Sequence, residues 1–432
     1  MKVIWLTNAI PACVASERGD KTGVSAGWLD AVSDMFVGDC QFEMIFIFPD
    51  HKLKSNKQGK TDRFKWYSFR VSKKAATAYS KNREIFFREI LSYERPDIVH
   101  IWGTEYSHCS EMLYACDDGF TSVVSMQGLI SECAKKYTDF LPDRVIRSTT
   151  FHDLIRRDNI YEQRRAFLMR GELEIKALRK ARHVIGRTAW DKSVAKSINP
   201  NISYHECEEI LRQSFYEEPF WAYKNCEKHS IFMTESYYPI KGMHTALEIV
   251  YALKEKYQDI HLYTTGRDPR DASIKGRLRR NSYEKYICEL ISTYDLDDNV
   301  SYMGRLNVDE IKKMYLKCNV YLQASLIENS TNSLAEAMLL GMPVVASDVG
   351  GTRSVLGDYA ADRVFDINDL AKAEEMIDKI MEDSPQEDSE VSDGMRDYAR
   401  IKHDKDEVLR QYTDCYRSIV VQNERAGHSI RI

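Results

Sequence analysis

Short apolar runs alternate with stretches of helical spacing along the whole chain, and most of the runs end in polar or glycine-containing residues. The runs at 3–6, 42–48, 96–105, 122–126, 183–186, 230–233, 260–264, 300–303, 320–323 and 344–346 read as buried strands. Between them, apolar residues recur at helical spacing over 28–36, 243–256, 286–294, 309–316, 334–340 and 407–421, and residues 143–182 read as helical and basic. Strand and helix in alternation predict parallel sheets with helices on their faces. The rhythm breaks at Tyr216-Glu217-Glu218-Pro219-Phe220-Trp221, which sets a domain boundary near 215–229 and divides the chain into 1–218 and 219–404. An acidic run starting at Glu382 reads as a mobile loop.

The densest polar pattern falls between Ser325 and Gly351. Ser330, Thr331, Asn332 and Ser333 supply side chains suited to capping a helix that stops at Gly341, before Pro343. Such a helix start turns free N–H groups and about half a positive charge toward the space above the strand ends, which suits a phosphate. Glu328 and Glu336 flank it with seven residues between them. Carboxylates repel phosphate, so their chemistry there is to accept hydrogen bonds from hydroxyls, a ribose diol on one side and a sugar ring on the other. Glu336 alone is an ordinary first-turn acid, and it is the constellation that points to a ligand. His100, Thr104 and Glu105 close the strand at 96–105, Gln127-Gly128 follows the next, and Arg187 follows the run at 183–186, all at carboxyl ends where doubly wound sheets bind ligands. A strand histidine is also often a satisfied core residue.

The order Glu328, seven residues, Glu336, Ala337, Gly341, Pro343, Val344, Val345 and Gly350-Gly351 resembles the donor-site signature of retaining glycosyltransferases of the GT-B fold, the large family-four type. The resemblance implies an α/β chain of two facing Rossmann-like domains with parallel sheets. Residues 1–218 would bind the acceptor, completed by a C-terminal helix at 405–432 that crosses back, and 219–404 would bind a nucleotide-sugar donor. The implied reaction moves a hexosyl unit from a nucleotide-diphosphate sugar, UDP-sugar first and GDP-sugar next, to a hydroxyl of a glycan or lipid-linked acceptor in surface polysaccharide biosynthesis.

Carried over residue by residue, Glu328 lies by the donor hexose, Glu336 holds the ribose, and the N–H groups of Asn332, Ser333 and Leu334 hold the diphosphate with Lys241 as its cation. Gly304-Arg305 lies by the base and Gly23 near the donor phosphates. His100 joins Glu328 and Lys241 as a catalytic candidate, and Glu105, Gln127 and Arg187 shape the acceptor or sugar site. Two residues depart from the family pattern: Ser236 stands where an arginine is expected, and Gln127 where many members have histidine. Gln127 cannot act as a base, which is compatible with a retaining mechanism that uses none. Arg305, Arg267 and Arg187 are the substitutes for the missing cation. A nucleotide-sugar epimerase of the same fold and a non-catalytic nucleotide-sugar-binding protein are the alternative classes.

Composition narrows this picture without redirecting it. The 43% of hydrophobic residues suffices for two cores, and a net charge of −5 gives no case for nucleic acid. Ten cysteines fall without paired metal-ligand spacing and read as reduced thiols of a cytoplasmic protein. Asp295-Leu296-Asp297 lies in a polar loop without the context of a metal site, so neither a cofactor nor a metal is expected. No apolar run approaches the ~20 residues that cross a bilayer. Two basic stretches remain open between a solvated face and peripheral contact with anionic lipid at the inner face of the membrane. One runs from His51 to Lys81, with Phe64, Trp66, Tyr67 and Phe69 interleaved, and the other is the helical 143–182.

Overall fold

The computed structural model describes residues 1–20, 27–53, 55–71, 78–382 and 385–429, which form two compact units. The first gathers Met1–Ser131, Leu168–Leu211 and the segment from His403 onward, and the second gathers Glu132–Phe167 and Arg212–Lys402. The division falls at Leu211/Arg212, seven residues before the boundary read from the sequence, and Glu132–Phe167 groups with the second unit rather than the first. The helix Lys405–Ser429 belongs to the first unit, so the chain does return there.

The first unit is built on strands β1 (Lys2–Leu6), β2 (Glu43–Asp50), β3 (Lys57–Lys60), β4 (Phe64–Arg70), β5 (Ile98–Trp102), β6 (Ser122–Ser125), β7 (His183–Gly186) and β8 (Ser203–Glu206), in the spatial order β3-β4-β2-β1-β5-β6-β7-β8. All pairs are parallel except β3 with β4. β1 is central, so alternate residues serve two cores. Ile4 and Leu6 pack with Val99, Phe87 and Leu178 on one face, and Val3 and Trp5 with Phe36, Phe46 and Tyr416 on the other. Burial on both faces is why the strand reads as an unbroken apolar run.

The second core takes in His100. Its Nδ1 lies 2.5 Å from Tyr416 Oη and its Nε2 2.6 Å from Ser125 Oγ, while its ring stacks on Trp102 at 4.1 Å. Fully buried, its imidazole is held neutral well below its ordinary pKa by desolvation. The catalytic expectation for His100 is therefore corrected: mid-strand, its side chain points into the core that receives the C-terminal helix, where it has no reach to a ligand.

The aromatics of the basic stretch 51–81 are also packing residues. β3 and β4 form an antiparallel sheet edge, with Phe64, Tyr67 and Phe69 buried. The Trp66 indole covers Gly59, where an added Cβ would come within 2.4 Å of it, and Arg18 stacks on the same ring at 5.2 Å.

Behind the sheet, the helix Lys81–Glu94 carries the buried Glu84. Burial alone would raise this carboxyl, but hydrogen bonds from Lys81, Tyr79 and Arg88 outweigh it and hold it at about 2. A folded-state value below the ordinary 4.5 means that the stabilisation is present above about pH 4.5 and lost as pH falls toward 2. The stability difference between the protein and Glu84→Gln, measured by denaturant unfolding, should therefore be smaller near pH 3 than near pH 7. Equal differences at both would refute the assignment.

The second unit holds β9 (Glu227–Met233), β10 (His261–Thr264), β11 (Val300–Tyr302), β12 (Cys318–Gln323), β13 (Val344–Ser347) and β14 (Val364–Phe365), all parallel in the order β11-β10-β9-β12-β13-β14. The winding reverses between β9 and β12, which marks the carboxyl ends of those two strands as the place for a ligand. Two sequence expectations change. The helical stretch 143–182 is three helices, Asp143–Ile146, Phe151–Arg156 and Ile160–Lys180, and Arg157 at φ 55° closes the second of them. Of the acidic run that starts at Glu382, residues 383 and 384 lie outside the described residues, and from Pro385 the chain is helical to Lys402, with Met395 and Ala399 buried.

Candidate active site

At the reversal point of the second unit two loops lock onto each other. After β9 the chain turns through Thr234–Tyr238 into a short 3-10 turn, Pro239–Lys241, and Gly242. Gly242 has φ +72° and lies so close to β12 that a Cβ there would stand 1.8 Å from the Ala324 carbonyl oxygen. No side chain fits, which explains the glycine after Lys241. Leu326 N donates to Ile240 O at 2.8 Å, joining this turn to the loop that follows β12.

Lys241 is thereby aimed at Glu328, with Nζ 2.8 Å from Oε1 and 3.3 Å from Glu235 Oε2. Burial would lower the lysine pKa, yet Glu328 and Glu235 outweigh it and hold it above the ordinary range. The ammonium is therefore charged at neutral pH. Ser325 Oγ donates to the same Glu328 oxygen at 2.8 Å.

The helix that follows, Asn332–Leu340, has Thr331 at its N-cap without a side-chain cap hydrogen bond, and the buried Thr331 Oγ1 has no partner. The four capping candidates of the sequence thus do not cap. Among the described residues, the N–H groups of Asn332, Ser333 and Leu334 meet no protein acceptor. A half-buried helix start left open in this way has the N–H groups and the dipole that suit an anion.

Glu336 is placed differently from expectation. It is 2% exposed, and Arg212 grips it with two hydrogen bonds, Nε to Oε1 at 2.6 Å and a second from Nη2 to Oε2. Burial raises its pKa and Arg212 opposes that shift. The sequence offers no local signal for Arg212, which lies 124 residues away where the chain enters the second unit.

The missing arginine is filled by a hydroxyl. Ser236 is buried and its Oγ donates to Thr265 O at 3.2 Å. Of the three substitutes, Arg267 is tied to Glu284 at 2.6 and 2.7 Å, and Arg187 lies buried in the first unit, paired with Glu209. Neither can serve a phosphate without abandoning its partner. Arg305 is exposed and makes no hydrogen bond or ion pair among the described residues. Its turn is fixed by the paired backbone bonds of Gly266 and Gly304 at 2.8 and 3.0 Å. The Asp297 carboxylate lies 3.9 Å from Arg270 Nη1, which also donates to the Asp297 backbone carbonyl at 2.7 Å.

In the first unit, the carboxyl ends of β1, β5 and β6 gather Asn8, Glu105 and Gly128. Glu105 accepts from Asn8 Nδ2 at 2.7 Å and from Gly128 N at 3.2 Å, and burial raises its pKa. Arg187 Nη2 donates to the backbone carbonyl of Gln127 at 3.5 Å. Sequence reading missed Asn8, and also Glu174, whose buried carboxylate takes hydrogen bonds from Thr104 Oγ1 at 2.7 Å, Ser131 Oγ at 2.6 Å and the N–H groups of Ile130 and Ser131. Gly23 lies outside the described residues.

All ten cysteines are free thiols, and no helix among the described residues is long and apolar enough to cross a membrane.

Residues 218–401 match the family described as glycosyl transferases group 1. The uncharacterized glycosyltransferase YqgM of Bacillus subtilis is 23% identical over 210 residues, covering 48% of this chain and 54% of that protein, about half its length. Sucrose-phosphate synthase from Thermosynechococcus elongatus superposes with a TM-score of 0.69 at 13% identity, covering 98% of this chain and 100% of that one. The Anabaena protein HepE, solved in complex with UDP and glucose, superposes with a TM-score of 0.62 at 11% identity, covering 97% and 100%. Residues 218–401 thus resemble the group 1 glycosyltransferases, and the chain has the two Rossmann-like domains of the GT-B fold.

Proposed function

We propose that this protein is a retaining glycosyltransferase that moves a hexosyl unit from a nucleotide-diphosphate sugar, a UDP-sugar before a GDP-sugar, to a hydroxyl of a glycan or lipid-linked acceptor. The observation that carries it is Lys241 and an uncapped helix start converging at the reversal point of the second sheet. There the diphosphate gains negative charge as its bond to the anomeric carbon breaks, and a fixed ammonium with preorganised N–H groups stabilises the leaving group more than the ground state. The acceptor oxygen bonds the same face of that carbon, and its proton passes to the departing phosphate oxygen, so no protein base is needed. Glu328, holding Lys241, also faces the hexose, and Arg305 supplies the second cation that Ser236 does not. The chemistry then needs no metal. HepE, of like fold, was solved with UDP and glucose, which supports the choice of base and sugar. Exposed Phe151, Leu154 and Ile155 beside Arg156 and Arg157 favour an acceptor presented on an anionic lipid surface, in polysaccharide assembly.

Thermal-shift measurements with UDP, GDP, ADP, CMP and their sugar conjugates test the reading. A ligand at a hundred times its Kd stabilises the folded state by about 2.7 kcal/mol, so one nucleotide should raise Tm clearly. No shift with any of them refutes donor binding. A shift without nucleotide release to any acceptor makes the protein a binder, and a new nucleotide sugar formed without acceptor makes it an epimerase.

A further inference from the structure

The helix Phe151–Arg156 is fixed at its start by Asp153. Thr150 N donates to Asp153 Oδ2 at 2.9 Å, and so does Ser282 N at 3.0 Å, where the helix Ser282–Thr293 begins. Both bonds use one carboxylate oxygen. The other, Oδ1, is buried within a side chain that is 0% exposed and has no partner. It faces His152 Nδ1 at 3.8 Å, and that nitrogen lies 3.9 Å from Asp158 Oδ1. All three atoms are buried, none forms a hydrogen bond, and they lie within 4.8 Å of one another.

These separations are too long for hydrogen bonds and suit a shared ion instead. Metal–ligand bonds of about 2.0–2.2 Å put two ligands of one zinc ion roughly 3.3–3.6 Å apart, so the two histidine–carboxylate separations need to close by a few tenths of an ångström and the two carboxylate oxygens, within 4.8 Å, by about 1.2 Å at most. Two buried carboxylate oxygens facing each other repel unless a cation lies between them.

We infer that His152 Nδ1, Asp153 Oδ1 and Asp158 Oδ1 form a binding site for one divalent cation of the zinc class, with water completing the coordination. An imidazole with two carboxylates suits zinc better than calcium or magnesium, which prefer oxygen alone. The ion would lock the helix Phe151–Arg156 against the start of Ser282–Thr293 within the second unit. This inference is independent of the transferase reading.

The metal-stripped full-length protein, titrated with zinc against a chromophoric chelator, should bind one equivalent, and cobalt should give visible d–d absorption at the same stoichiometry. Because Asp153 also holds two backbone N–H groups, the test variants are His152→Gln and Asp158→Asn. Each should weaken zinc by about tenfold or more, with circular dichroism unchanged. Zinc should raise the Tm of the native chain and leave that of the double variant unmoved. Either no binding up to about 100 µM zinc or undiminished binding by the double variant overturns the site.

Discussion

Lys241→Met should lower kcat for sugar transfer by about 10²–10³-fold, the usual consequence of removing one charge-stabilising donor at a leaving group. Its ammonium is held protonated by Glu328 and Glu235, and Gly242 fixes its direction because no larger residue fits against Ala324. The effect belongs on kcat more than on donor KM, since charge on the diphosphate grows as the sugar leaves. Lys241→Arg keeps the charge and should recover at least about tenfold of the loss. The substitution removes a partly exposed ion pair, so denaturant stability should change by only about 1 kcal/mol. A normal kcat with reduced stability would make Lys241 a structural partner of Glu328.

That loop was legible in the sequence because each of its features is local. A buried parallel strand is an apolar run, Gly341 at φ +77° ends a helix, and the spacing from Glu328 to Glu336 is set by one loop and one turn. What the sequence left open depends on contacts between distant segments. Tyr416 reaches His100 across 316 residues and makes a core residue of a catalytic candidate. Glu209 takes Arg187, and Glu284 takes Arg267, so only Arg305 of the three proposed cations stays available. The aromatics of 51–81 resemble a membrane stripe in sequence, yet their strand is covered on both faces, with Phe64 packed in one core and Tyr67 and Phe69 in the other. Residues Glu132–Phe167 group with the second unit through pairs such as Asp153 with Ser282, which no local pattern encodes.

The pairing of Glu336 with Arg212 changes what its removal should do. From the sequence, Glu336→Ala is expected to raise donor KM far more than it changes stability. In the structure it would leave an arginine side chain that is only 18% exposed without its bidentate partner, and breaking a buried pair on one side costs about 3–5 kcal/mol. Glu336→Ala should therefore raise donor KM by about tenfold or more and lower unfolding stability by that amount. The two effects separate in the double variant Arg212→Met/Glu336→Leu, in which no buried charge is orphaned. Well-packed apolar replacements for a buried ion pair are often neutral in stability, so the double variant should unfold within about 1.5 kcal/mol of the native chain. It still lacks the carboxylate that accepts ribose hydroxyls, so its donor KM should stay raised. Recovery of both would reduce Glu336 to an anchor for Arg212, and the ribose would have to be held elsewhere. Recovery of stability alone would place the carboxylate on the nucleotide, with Arg212 orienting its two oxygens.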